Sequence, residues 1–189
     1  MSSVVLTGDT SGSGTITVPA VAGTFSVTIG SATGTHYPFT AGTAVASTSG
    51  TSIDFTSIPS WVKRITVMFS GVSTNGTSFY QCQIGDSGGV ETSSYVGGIL
   101  TLSTFSANSA GFIFNSNVTA ASAYHGVITL TKLDGNTWIA SSTCNATATY
   151  GNGAGSGSKT LSDTLDRVRI TTVNGTDTFD AGSINILYE

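Results

Sequence analysis

Val62-Lys63-Arg64-Ile65-Thr66-Val67-Met68-Phe69-Ser70-Gly71-Val72 alternates apolar and polar side chains. On an extended chain a period of two puts Ile65, Val67 and Phe69 on one face and Arg64, Thr66 and Ser70 on the other, with Met68 as the exception. The stretch therefore predicts a half-buried strand. Outward from it, similar short runs occupy 52–55, 78–84, 95–102, 111–118, 124–133, 137–144, 165–173 and 183–188. In the last run Ile184, Ile186 and Tyr188 share a face. Val127, Thr129 and Thr131 oppose Ile128, Leu130 and Lys132, which suits a strand that is half wet or lies at a subunit contact. Nine short strands crossed by turns predict an all-β fold, a jelly-roll-like antiparallel β-sandwich. Asn75-Gly76, Asp134-Gly135, Asn152-Gly153 and Asn174-Gly175 mark turns, and Asp134-Gly135 and Asn174-Gly175 are the strongest hairpin signals.

Composition agrees. Of 189 residues, 28 are Ser, 32 Thr and 24 Gly, and only 8% are charged, with a formal net charge of -4. Thr, Val and Ile favour a pleated surface, and strong helix formers other than Ala are scarce, so almost no helix is expected. Hydrophobic residues at 39% are too many for a chain that stays unfolded. Six Lys and Arg, with no cluster larger than Lys63-Arg64, argue against nucleic-acid binding. Met1 to Thr7 carries no basic region followed by an apolar run, and nowhere do 18 apolar residues follow one another. Neither a secretory signal nor a membrane span is expected.

Three regions follow. Residues 1–35 contain two alternating runs, one with Ile16 and Val18 and one with Phe25, Val27 and Ile29, joined by a turn over 19–23. They predict a β arm that needs another surface to be ordered, since an isolated hairpin is marginal in water. Residues 36–50 are mostly Thr, Ala, Ser and Gly, with Pro38, few apolar anchors and no Lys, Arg, Asp or Glu, as in an extended linker, and 51–189 form the sandwich. The glycine-rich stretch 151–157 reads as a solvent-facing loop.

Gly85-Asp86-Ser87-Gly88-Gly89 matches the nucleophile loop of trypsin-like serine proteases letter for letter. That chemistry needs a histidine base and an aspartate that orients it. The only upstream histidine is His36, in the linker and too close in sequence for two barrels, and Val90 stands where that family has a proline. The string is expected to be a hairpin, and the protein not an enzyme. Cys82 and Cys144 lack zinc or redox spacing and read as separate small hydrophobes, with one inter-strand bridge as the other possibility. His125 has no second ligand at metal spacing, and Asp163, Asp166, Asp177 and Asp180 follow no calcium-loop pattern. No metal or cofactor is expected. Trp61 and Trp138 suit core or interface packing. Tyr80, Tyr95, Tyr124 and Tyr150 fall near strand or loop ends and are the candidate glycan contacts.

Two stretches resemble a known group. Thr7-Gly-Asp-Thr-Ser-Gly, Thr15-Ile-Thr-Val-Pro-Ala-Val-Ala-Gly-Thr and Gly30-Ser-Ala-Thr-Gly-Thr resemble the N-terminal repeat of phage tail-fibre and related virion proteins. The run from Thr51 to Ser73, Gln83-Ile-Gly-Asp-Ser-Gly-Gly-Val-Glu-Thr and the segment from Asp177 to Glu189 are similar to phage and prophage proteins with a C-terminal β domain. The resemblance implies a homotrimer in the virion, assembled in the bacterial host cytoplasm. Residues 1–35 would bind other virion proteins, and the sandwich would act as a short fibre or tip on a host-surface glycan. The alternative is a capsid decoration protein, and a small hydrolase using Ser87 is a rival reading that ranks below both. No catalytic residue carries over.

Overall fold

A computed structural model of the chain describes residues 3–7, 13–17, 39–101, 105–115, 118–120, 122–147 and 153–189. The chain divides into two units, Met1–His36 and Tyr37–Glu189. In the first, Ser3–Thr7 (β1) pairs antiparallel with Ser13–Thr17 (β2), Ser3 opposite Thr17. The hairpin thus uses an earlier partner strand than the alternation suggests. The expected strand at Phe25 to Ile29 and the turn over 19–23 lie outside the described residues.

The second unit is a sandwich of two antiparallel sheets. Its strands are Thr40–Ala41 (β3), Val45–Ala46 (β4), Ser52–Phe55 (β5), Arg64–Thr74 (β6), Tyr80–Asp86 (β7), Gly89–Val90 (β8), Val96–Leu100 (β9), Phe105–Ala107 (β10) and Phe112–Ile113 (β11). They continue with Tyr124–Asp134 (β12), Thr137–Ala146 (β13), Gly153–Thr160 (β14), Arg167–Thr172 (β15) and Phe179–Tyr188 (β16). The large sheet runs β10-β9-β14-β13-β12-β6-β16-β3, with β4 also on β16, and the small sheet runs β11-β7-β15-β5, with β8 on β7.

The pairing is nested. β6 pairs with β16, β7 with β15, β9 with β14 and β12 with β13, as in a long ribbon folded back over itself. This is the wrap of a jelly roll with one departure: the innermost pair joins the large sheet between β14 and β6 rather than the small one.

The expected faces hold. Ile65, Val67 and Phe69 are buried, as are Ile128, Leu130, Ile184 and Ile186, while Arg64 and Ser70 are exposed. Between the sheets Tyr80 meets Tyr124 edge-on at 5.3 Å and Phe179 at 6.2 Å, and Phe69 stacks on Phe114 at 4.5 Å. Cys82 and Cys144 are both free and buried in this core, where desolvation pushes the Cys144 thiol up to about 12 and raises Cys82 as well.

Three expectations change. The part of residues 36–50 read as linker contains β3 and β4, which pair along β16 as an edge of the large sheet. Ser47 is fully buried, its N–H donating to Gly182 O and its hydroxyl to Ala181 O. Backbone bonds rather than apolar side chains hold this segment, so it has no periodicity to read. Most of the supposed loop at 151–157 is β14, flanked by β13 and β9. A Cβ at Gly153 would lie 2.2 Å from Ile99 Cδ1, and one at Gly157 would lie 2.5 Å from Val96 O. Alternate glycines here permit close packing of strands and do not signal mobility. Finally, Asp134-Gly135 closes the β12–β13 hairpin, but Asn174-Gly175 carries the chain from the small sheet to the large one. Asp177 ties this corner to the 75–78 corner, accepting from Ser78 N at 2.9 Å and from Asn174 Nδ2 at 2.6 Å.

Candidate functional site

The Gly-Asp-Ser-Gly-Gly string is a hairpin. Gly85 faces Val90 and Asp86 faces Gly89 across a two-residue turn at Ser87-Gly88. Gly85 is there for close approach, because a Cβ would sit 2.1 Å from Gly89 O and 2.7 Å from Val90 Cα. Asp86 closes the turn by accepting from Gly88 N at 2.8 Å, and it accepts from Ser162 Oγ at 2.7 Å. These two donors, Ser162 first, hold its carboxyl below the usual range.

Ser87 is exposed, and among the described residues His125 is the only histidine. Nδ1 of His125 accepts from Gly71 N at 3.2 Å. The neighbouring Tyr124 packs on Tyr80 at the start of β7, whereas Ser87 lies beyond the other end of that strand. Seven residues at about 3.3 Å each separate them by roughly 20 Å along the sheet, far outside the reach of a general base. His36 lies outside the described residues. We expect Ser87→Ala to leave the thermal midpoint unchanged, and Gly85→Ala to lower stability by about 1–3 kcal/mol through overpacking against backbone. Calorimetry of the two variants checks this.

A denser polar cluster adjoins the hairpin. Lys159, at the end of β14, is buried on the inner face, 4% exposed. Its ammonium pairs with Glu91 and lies 5.4 Å from the centre of the Tyr95 ring. Ser162 N donates to the other Glu91 oxygen at 2.7 Å, and the single Ser162 hydroxyl proton is shared between that oxygen, at 2.9 Å, and Asp86. Burial by itself pushes the Glu91 carboxyl up, but Lys159 and Ser162 more than offset it and hold it below the ordinary range. The Tyr95 hydroxyl accepts from Ile84 N at 2.8 Å and lies 2.9 Å from Glu91 O, to which it donates. Asp166 and Arg167 form a bidentate pair beside this corner. Every oxygen described here is engaged in holding β7, β8, β14 and β15 together. The cluster is a structural lock, and Lys159 and Glu91 carried no motif by which the sequence could announce them.

Tyr80 and Tyr124 meet inside the core, and Tyr95 lies at the corner beside Glu91. Tyr80, Tyr95 and Tyr124 are 0, 3 and 0% exposed and offer no face to a sugar. They sit at strand ends as expected, but their rings turn inward because their hydroxyls find internal partners, Thr74 for Tyr80 and Glu91 O for Tyr95. Tyr150 lies outside the described residues. Trp138 is buried and Trp61 packs against Tyr188 at 5.9 Å. Asp163, Asp166, Asp177 and Asp180 are dispersed among Thr164 N, Arg167, Asn174 and Ser73. Among the described residues no group of three or more His, Cys, Asp or Glu could hold a metal ion. No helix there is long and apolar enough to cross a membrane.

Two outer faces remain. On the large sheet the register aligns Phe105, Leu100, Ala154, Thr143, Val127 and Met68 in one row across six strands. Phe105, Leu100 and Val127 are 66, 62 and 40% exposed. Among the described residues, this face shows no charged side chain between Arg64, paired with Glu189 at one corner, and His125 at another. The outer face of the small sheet is different. It is a polar trough of about 320 Å³, lined among others by Ser52, Gln81, Gln83, Arg169 and Thr171.

No family model, no curated protein and no solved structure matches the chain.

Proposed function

We propose that the chain is a non-enzymatic structural protein of a phage virion. It forms a homotrimer through the outer face of the large sheet and serves as a short fibre or tip that contacts the host surface. The observation that carries this is the charge-free row from Phe105 to Met68. Covering such a face costs no ion desolvation and removes exposed Phe, Leu and Val from water, whereas a monomer would leave it wet. The resemblance of residues 7–35 and 51–73 to virion proteins supports the setting. The hairpin at Ser87 and its distance from His125 speak for a building block over a hydrolase.

Sedimentation equilibrium tests the assembly. We expect three times the chain mass of 19.1 kDa. Ser141→Glu puts a carboxylate on the exposed centre of the face, where burial in a contact costs several kcal/mol. This variant should stay folded and sediment as a monomer. A wild-type monomer at micromolar concentration would overturn the proposal. The decoration-protein alternative separates from the fibre by titration against empty heads, where tight binding to heads without sugar binding removes the fibre.

A further inference from the structure

We infer that the trough on the outer face of the small sheet binds a neutral sugar through hydrogen bonds. The inference deepens the adhesive role proposed above and rests on it. Strand pairing sets the geometry: Asp54, Arg169 and Gln83 lie in register across β5, β15 and β7, and Ser52, Thr171 and Gln81 form the next row. Adjacent strands are about 4.8 Å apart and alternate residues roughly 6.6 Å apart, so the six positions form a grid on the scale of one or two pyranose rings, and all of them but Asp54 line the trough.

The floor is rigid before any ligand arrives. Gln81 and Gln83 are only 3 and 5% exposed, although they point away from the core. The segment at 108–111 fixes both amides. Asn108 Nδ2 donates to Gln81 Oε1 at 2.8 Å, and Gln83 Nε2 donates to Ala110 O at 2.8 Å. Gln81 Nε2 also donates to Thr172 O at 3.2 Å, and Thr171 Oγ1 donates to Thr51 O at 2.8 Å. Each amide nitrogen spends one N–H in this way. Beyond the bonds named here, each amide nitrogen has a second N–H, and the Gln83 carbonyl oxygen and Thr171 Oγ1 have lone pairs that can accept from a ligand. Groups locked in place lose little entropy on binding.

Charge selects the ligand class. Arg169 is held by Asp54 through two bonds of 2.6 and 2.9 Å, so its charge is already matched by its neighbour on β5. An acidic sugar would have to compete with that bidentate carboxylate for Arg169, whereas the hydroxyls of a neutral sugar leave the pair intact. The volume of about 320 Å³ is at the small end of the range of about 300–1,000 Å³ for ligand sites.

The test is a calorimetric and NMR titration of the full chain. The probes are neutral oligosaccharides of glucose, galactose, mannose and N-acetylglucosamine, with sialylated oligosaccharides as the comparison. At least one neutral probe should bind with a dissociation constant below about 10 mM. Its amide shifts should map to β5, β7 and β15. Gln83→Ala should weaken binding about tenfold, and Thr171→Val, which keeps the volume, should do so if the first variant fails to fold. No neutral sugar bound, a response to sialylated probes alone, or shifts elsewhere would each overturn the inference. The sedimentation mass is read separately: a trimer that binds no sugar refutes the site and leaves the assembly standing, and a sugar-binding monomer does the reverse.

Discussion

Glu91→Gln should lower the thermal midpoint by roughly 6–12 °C. Lys159 is 4% exposed, and its counter-charge is the Glu91 carboxylate. Glutamine fills the same space but leaves the ammonium buried without a counter-ion. Breaking a buried pair in this way costs about 3–5 kcal/mol, and the lower end applies because the Glu91 side chain keeps 23% exposure and so some solvent screening. At about 2–4 °C per kcal/mol for a domain of this size, 3 kcal/mol gives the stated shift. Lys159→Met removes the charge that needs compensation and leaves Glu91 bonded to Ser162, so it should stay within about 1 kcal/mol of wild type. Scanning calorimetry of both variants decides the matter, and equal losses would mean that packing rather than charge governs the corner. The pH dependence has a definite sign. The Glu91 carboxyl is lower in the folded state than its unfolded value of about 4.3, so its contribution is complete above that value. It is lost as the pH falls below 4.3 and through the folded value, and Glu91→Gln should lack that part of the acid transition.

Tyr80→Ala should cost about 3–5 kcal/mol, the usual figure for emptying a large aromatic site in a close-packed core. The ring touches Tyr124, Phe114 and Phe179 and is fully buried, so neighbours from both sheets would face the cavity. Desolvation also raises the phenol to about 12, which keeps it neutral through the physiological range. Tyr80→Phe should cost about 1 kcal/mol or less, because the bond to Thr74 is long at 3.4 Å. Urea denaturation of the pair measures the two effects. If Tyr80 were instead a glycan contact, Tyr80→Ala would lose sugar binding in a protein of unchanged stability.

The strands around Ile65 and Ile128 were legible because each has one wet and one dry face, and the period of two records that division. Where strands are held by other means the record fails. Thr40–Ala46 follows β16 through backbone bonds, and 153–157 packs through absent side chains, so neither leaves an apolar signal. The tyrosines misled because the residue has an apolar body and a polar tip, and only the third dimension shows which end meets water. Tyr80-Gln81-Cys82-Gln83-Ile84 does alternate, and Gln81 and Gln83 could have been assigned to a shared outer face. Their junction with Arg169 and Thr171 could not, since it depends on two strands more than 80 residues apart lying side by side.

The nested ribbon sets a timetable for synthesis. Ile65 pairs with Tyr188, so β6 leaves the ribosome more than 120 residues before its outer partner exists. At about 5–20 residues per second that interval is roughly 6–25 s. During it the Ile65-Val67-Phe69 stripe has an open edge and an apolar face while neighbouring ribosomes emit the same stripe. Yield in the cell should therefore depend on how well nascent chains are shielded from one another, and slowed elongation would deepen the loss.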